Sequence, residues 1–272
     1  MRLFQHPSRV NDPVPTSRRE SIMSRKVYFC TLSERPMELE NAPSPPGDLF
    51  DGYSRNYESL LNRALSPSGE SATYFARQRV EWLTYKLQVI GVTPTSVLDF
   101  GCGTGGSIPF LKEILRPKRL LGVDTSSECL RQSREAHAGA EFANCRDFAP
   151  NSEFDLAFCN GVFHHIAPAD RVASLRYVYD SLVPGGLFAF WENNSWNPAT
   201  SYVMSRCAFD EQAVPVSPRQ GAKLLRNHGF QVLHSSSLFF FPRWLKCLRG
   251  LEPALSRLPL GAQYLLIARK PA

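Results

Sequence analysis

An apolar run that ends directly in glycines, Val97-Leu98-Asp99-Phe100-Gly101-Cys102-Gly103-Thr104-Gly105-Gly106, constrains the fold of this 272-residue chain more than any other feature. The first four residues are too few for a helix and apolar enough for a buried strand. The glycines admit backbone conformations and close approaches that side chains forbid. A strand that passes through such a loop into a helix opens a βαβ unit. The same alternation continues downstream, where Arg119 to Val123, Ala140 to Asn144, Phe154 to Cys159 and Leu187 to Trp191 read as further buried strands. Phe230 to Leu233 and Gln263 to Ala268 read as a hairpin-like closing pair with a long insertion between them. The fold class is therefore α/β, built on a mostly parallel, doubly wound sheet.

Start and stop signals mark the helices. Phe75, Trp82, Leu83, Leu87 and Ile90 recur near the helical period and stop at Gly91 and Pro94. Thr125 with Glu128, and Ser217 with Gln220, are spaced as capping boxes; Pro168 and Pro218 suit first helical positions; Gly229 suits a left-handed stop. From Pro168, the residues Val172, Leu175, Tyr179 and Leu182 share one face, and Pro184-Gly185-Gly186 turns the chain into the next strand. Three regions result: residues 1–46 as a Pro- and Ser-rich flexible extension, within which Met23 and Met37 are alternative starts; 47–92 as a helical lid; and 93–272 as the core, with an insertion at about 238–260.

Composition excludes several classes. A net charge of +6 is modest, and residues 1–46 carry only seven Lys/Arg against five Asp/Glu, so no basic patch calls for nucleic acid. Seven cysteines without a CxxC spacing argue against a disulfide framework and a structural zinc site, and fit a cytoplasmic setting. No apolar run reaches spanning length.

The glycine loop also fits GxGxxG through Gly101, Gly103 and Gly106, the pattern of dinucleotide-binding sheets. Asp99 arbitrates, since a carboxylate beside the loop suits a ligand ammonium better than a pyrophosphate. Asp124, 21 residues after Gly103, ends the second strand where an acid accepts from ribose hydroxyls; Asp147 follows the third, with Phe148 available to cover a ring. These features together describe an adenosine carrying an amino-acid tail.

Here the chain resembles the class I S-adenosylmethionine-dependent methyltransferases. The resemblance rests on VLDFGCGTG, Asp124, Asp147, the run from Phe154 to Ile166 and the turn Leu182-Val183-Pro184-Gly185-Gly186, and extends over about residues 70 to 270. It implies a Rossmann-like seven-stranded sheet with an antiparallel last strand, and S-adenosyl-L-methionine as cofactor. Asp99, Gly101, Gly103 and Gly105 would line the methionine part, together with Cys102 and Thr104. Asp124 and Thr125 would meet the ribose, Asp147 and Phe148 the adenine, and Asn160 the floor near the sulfonium.

Ligands of doubly wound sheets bind over the carboxyl ends of the strands. That places Asn160 to His165 and Trp191 to Asn197 around an acceptor cavity. Methyl transfer to a hydroxyl needs orientation, water exclusion and a base. His164 and Glu192 are the catalytic candidates, and Tyr53, Tyr57, His165, Asn193, Asn194 and Asn197 the substrate candidates; Tyr53, Tyr57 and Arg79 are also placed to meet a cofactor carboxylate. Asn160 stands where a metal-dependent O-methyltransferase would carry an acid, so no metal is expected. The run Asn160-Gly161-Val162-Phe163 lacks the two prolines of DNA amino-methyltransferases. The expected reaction is methylation of a small molecule, with oxygen preferred over nitrogen or carbon. Competing readings are a nicotinamide-binding or non-catalytic α/β protein, and a peripheral-membrane enzyme on a lipid-linked acceptor. The last is prompted by Phe239, Phe240, Phe241, Trp244 and the leucines interleaved with Arg243, Lys246, Arg249 and Arg257.

Overall fold

The computed structural model describes residues 51–53 and 56–272. The flexible extension expected over residues 1–46, with its alternative starts, lies outside the described residues. Seven strands form one sheet: β1 Ser96–Phe100, β2 Arg119–Asp124, β3 Glu141–Asn144, β4 Phe154–Asn160, β5 Leu182–Asn193, β6 Gln231–Leu238 and β7 Gln263–Arg269. Their order is β3-β2-β1-β4-β5-β7-β6. The first five pair parallel, and β7 runs antiparallel to both β5 and β6.

The inner strands β1, β2, β4, β5 and β7 read as apolar runs because both faces are covered, whereas β3, expected to be buried, is an edge strand with no buried residue. In β1, Val97 packs into a cluster with Val80, Leu83 and Leu87, while its neighbour Leu98 packs into another with Phe163, Leu175 and Phe188. The first cluster is closed by α2 (Ala72–Ile90), capped by Ser71 and stopped by left-handed Gly91. The second is closed by α5 (Arg171–Ser181) and α7 (Pro218–Asn227). Other helices are α1 (Tyr57–Leu65), which packs in a third cluster with Phe209; α3 (Ile108–Phe110, continuing as a wide turn to Leu115), part of the first cluster; α4 (Ser127–Ala136); and α6 (Pro198–Met204).

Several local expectations shift. The cap of α4 is Ser126, whose hydroxyl accepts from Cys129 N, and not Thr125. The Asp124 carboxylate already holds the Ser126 N–H at 2.9 Å, which moves the helix start one residue along. α5 begins at Arg171, because residues after Pro168 form a turn closed by Asp170 N and Ala167 O. Its buried face is Leu175 and Val178, leaving Val172 47% exposed. The Pro184-Gly185-Gly186 turn is absorbed into β5 as an irregularity, with Gly185 left-handed. Ser217 and Gln220 form the expected capping box.

Candidate active site

The glycine loop leaves β1 at its carboxyl end, between β1 and β2. Gly101 has φ +72°, and a Cβ there would lie 2.4 Å from a Val162 methyl; Gly105 has φ +82° and the His137 ring at the same distance. Both positions therefore require glycine. Gly103 also has positive φ, yet its missing Cβ faces open space, so the loop presents bare backbone there. Cys102 is buried beneath the loop against Gly122, and Thr104 is half-buried.

Asp124 accepts from Gly103 N at 2.8 Å and Ser126 N at 2.9 Å, so it fastens the loop to the end of β2. Burial raises its pKa against those N–H bonds. Thr125 offers its carbonyl to Asn144 Nδ2. Asp147 is exposed in the turn after β3. The Phe148 ring turns inward against Phe154, with its carbonyl held by Tyr177, and does not stand free over a ligand.

Beyond the loop lies a polar floor. Asp99 is buried with one carboxylate oxygen unpartnered; burial, helped by Asp124 and opposed by Arg79, raises it to about 7. Arg79, on α2, is buried as well. Its Nη1 donates to Gln263 Oε1 at 2.9 Å while Nε has no partner, and burial lowers it to about 10 despite Tyr57 and Asp99. Asn160 Oδ1, at the end of β4, lacks a hydrogen-bond partner too, as does Asp210 Oδ1 in the cavity; Trp191 Nε1 and His234 Nε2 are the other two such atoms among the described residues. Proteins rarely leave such atoms unpaired unless a ligand or water completes them.

The acceptor side is a cavity of about 410 Å³ above β4 and β5. Asn160, His164, His165, Arg79 and Asp210 are among its polar groups; α1, α2, α6 and the insertion supply aromatic and aliphatic walls. His164 is buried, with Nδ1 2.6 Å from Glu192 Oε2 and Nε2 3.5 Å from Asp210 Oδ1. Burial presses its pKa down, but Glu192 and Asp210 outweigh that and hold the imidazole charged, at about 10. His165 lies with Nε2 3.3 Å from the same Asp210 oxygen; burial and the charged His164 push it down to about 4, so it is neutral. His164 Nε2, His165 Nε2 and Asp210 thus converge within 4.8 Å, the donor set of a cation site in geometry, with each atom already facing another of the three.

The sequence-derived candidates sort by position. Glu192 is 1% exposed and does not line the cavity: one oxygen takes Phe163 N–H at 2.7 Å and the other holds His164. Asn194 is fully buried, donating to the carbonyls of Pro259 and Gly261, and so anchors the insertion instead of meeting a substrate. Asn197 lines the cavity, but its amide caps α6 and donates to Leu260 O. Asn193 lines it too, accepting from Gln263 at 2.9 Å. Tyr57 lines the cavity and packs on Phe209; Tyr53 packs on Phe209 and stays behind it. Asp210 is the group that sequence reading missed. It sits 45 or more positions from either histidine, and no local motif surrounds it.

A seven-stranded sheet of this order, with the loop, the acid ending β2 and a cavity over the carboxyl ends, defines the Rossmann-like class of methyltransferase folds. Residues 98–188 match the family model described as a methyltransferase domain. Among curated proteins, trans-aconitate 2-methyltransferase of Rhodopseudomonas palustris (strain BisB5) is 33% identical over 126 residues, 46% of this chain and 48% of that protein. The enzyme of the same name from Azoarcus sp. (strain BH72) is 38% identical over 96 residues, 35% of this chain and 37% of that one. The chain thus spans half or less of the length of these relatives. Among solved structures, a Thermotoga maritima S-adenosylmethionine-dependent methyltransferase, titled a possible histamine N-methyltransferase, superposes with TM-score 0.58 at 18% identity, covering 83% of this chain and all of that one. The plantazolicin methyltransferase solved with a triazolic desmethyl analogue and S-adenosylhomocysteine gives TM-score 0.55 at 16% identity, over 82% of this chain and all of that one. Residues 98–188 thus match the methyltransferase-domain model, and the described residues share the fold of these solved structures.

Proposed function

We propose that the protein transfers a methyl group from S-adenosyl-L-methionine to a hydroxyl of a small molecule with a large apolar body. The observation that carries this reading is the trio of buried orphans, Asp99 Oδ2, Arg79 Nε and Asn160 Oδ1, between the glycine loop and the cavity. An amino-acid tail offers an ammonium to Asp99 and a carboxylate to Arg79, so these residues fit the methionine end of that cofactor. Gly103 leaves room for close approach of its body, and Asp124, which holds Gly103 N at the end of β2, is the acid we assign to the ribose. When bound, the cofactor supplies an electrophilic methyl on a sulfonium leaving group.

The rest falls to this chain's own side chains. Glu192 is a positioning residue: it fixes His164 and keeps it charged. His164 in turn holds Asp210, and Asp210 orients the neutral His165 at the cavity floor. An acceptor hydroxyl at that floor gives its proton to the His165–Asp210 pair as its oxygen takes the methyl. The aromatic walls leave little polar surface to hold water around the floor of the cavity.

Those walls also bear on the acceptor. The curated relatives are named for trans-aconitate, a polycarboxylate, whereas this cavity holds few cations for one. Arg79 faces Asp99, and Arg249 is paired with Glu70 at 2.9 Å. Leu61, Phe75, Phe239, Phe240, Phe241 and Met204 favour a flat or chain-like apolar body.

Calorimetry of the full chain with S-adenosylhomocysteine, followed by incubation with labelled cofactor and fractionated metabolites, tests the reading. The expected result is measurable heat, and label in an apolar O-methyl product that Asp210→Asn reduces at least about a hundredfold. No heat with S-adenosylhomocysteine, or label transfer indifferent to Asp210, overturns it.

A further inference from the structure

Large apolar side chains left exposed are unevenly distributed. Of the eleven among the described residues, five fall between residues 244 and 260: Trp244, Leu248, Leu251, Leu258 and Leu260. All belong to the insertion joining β6 to β7, whose helical part runs from Arg243 to Leu251 and on through Glu252–Leu255. Leu248 and Leu251, three apart in a 3-10 turn, share one face, and Trp244 stands exposed just before the kink at Leu245. Monomeric proteins seldom leave such a concentration open to water without a use for it.

Two further observations say what covers it. The first is charge. Arg243, Lys246 and Arg257 are exposed beside the leucines, and Lys86 on α2 lies near enough to Arg257 for the two cations to repel. The insertion's own acid, Glu252, is turned inward, accepting from the backbone N–H groups of Phe239 and Phe241 at 3.0 and 3.3 Å. The outer face is therefore apolar and basic, the pairing that anionic lipid headgroups and the acyl boundary beneath them accept. The second is continuity. Trp244 lines the acceptor cavity yet is 74% exposed, so it stands at the mouth, and Phe239 to Pro242 of the same segment form the wall leading inward. Among the described residues no helix is long and apolar enough to cross a membrane, so any such contact is peripheral.

We propose that residues 243–260 dock on an anionic membrane surface, so that the mouth of the cavity opens onto the bilayer and admits an acceptor dissolved there. The docking face stands on its own observations; only the statement about the acceptor rests on the methyltransferase reading above.

Co-sedimentation of the full chain with vesicles of phosphatidylcholine alone, and of phosphatidylcholine mixed with phosphatidylserine, tests the docking. Trp244 emission is followed in parallel, against a Trp244→Phe control. The expected result is binding to the mixed vesicles with a blue shift that the control lacks. Leu251→Ser with Leu258→Ser, neither of which lines the cavity, should weaken binding at least about tenfold. Should that pair fail to fold, Lys246→Glu with Arg257→Glu, at exposed positions, is to give the same loss. S-adenosylhomocysteine affinity, measured on each variant, should not move. A chain that stays in the supernatant with both vesicle types, or binding indifferent to both pairs, overturns the docking face. So does self-association through Leu251 and Leu258 in the absence of lipid. Loss of S-adenosylhomocysteine binding in the parent chain would instead sink the catalytic reading and leave the vesicle result standing.

Discussion

Replacing Glu192 by Gln isolates one charge in the middle of the molecule. Glutamine keeps the shape of the side chain and can still accept the Phe163 N–H now held at 2.7 Å, so the backbone contact survives. What disappears is the negative charge 2.6 Å from His164 Nδ1. Breaking a buried ion pair by neutralising one member costs about 3 to 5 kcal/mol, and the low end applies here because Asp210 remains on the other ring nitrogen. The cost must also depend on pH. His164 titrates at about 10 in the folded chain against an ordinary 6.5, so its contribution is complete below the lower value and is lost as pH rises through the higher. Urea unfolding of parent and variant at about pH 6 should differ by about 3 kcal/mol, and at about pH 10 by less than about 1 kcal/mol. Because the two chains share every other group, titrations elsewhere cancel in the difference. A gap that stays constant across that interval would refute the charged His164, and with it the positioning role given to Glu192.

Other outcomes follow from the same site. Gly101→Ala should destabilise the chain by about 2 to 4 kcal/mol, from left-handed strain and from the Val162 methyl 2.4 Å away, read as a fall in thermal midpoint. Asp124→Ala leaves the N–H groups of Gly103 and Ser126 without their acceptor, and should weaken S-adenosylhomocysteine binding about a hundredfold by calorimetry. Because the ammonium of the ligand calls for an ionised Asp99, affinity should rise as pH climbs through about 7, and Asp99→Asn should flatten that profile. Treatment with a strong chelator should leave turnover unchanged, since the charged imidazole of His164 offers no lone pair to a cation; a loss restored by one divalent cation would assign His164, His165 and Asp210 as ligands.

The inner part of the sheet was legible because both of its faces are buried, which turns β1, β2, β4, β5 and β7 into short apolar runs; the edge strands β3 and β6 lack that signature. β1 falls on the residues that the pattern picks out, and the loop glycines are dictated by local backbone. Boundaries governed by side chains competing for the same N–H were harder. Ser126 displaces Thr125 as a helix cap only because Asp124 bends back to hold it. The polar floor divides in the same way. Asp99 and Asn160 stand at strand ends and His164 in the turn after β4, where position alone marks them. Asp210 arrives from a distant segment, and its meeting with His164 and His165 is a product of tertiary packing that no spacing encodes. Asn194 and Glu192 carry the polarity of a binding residue but spend it on backbone and on His164, a distinction visible only once partners are known.

The insertion is pinched shut at its base. Gly261 passes so close to Leu238 that a Cβ would lie 2.3 Å from the carbonyl oxygen, Ala262 N donates to Phe239 O, and Asn194 grips the carbonyls of Pro259 and Gly261. A loop clamped at its neck can be lengthened, shortened or rewritten without disturbing the strands it joins. Under the function proposed above, the part of the cavity wall that the insertion supplies can change while the glycine loop at the other end of the sheet stays as it is.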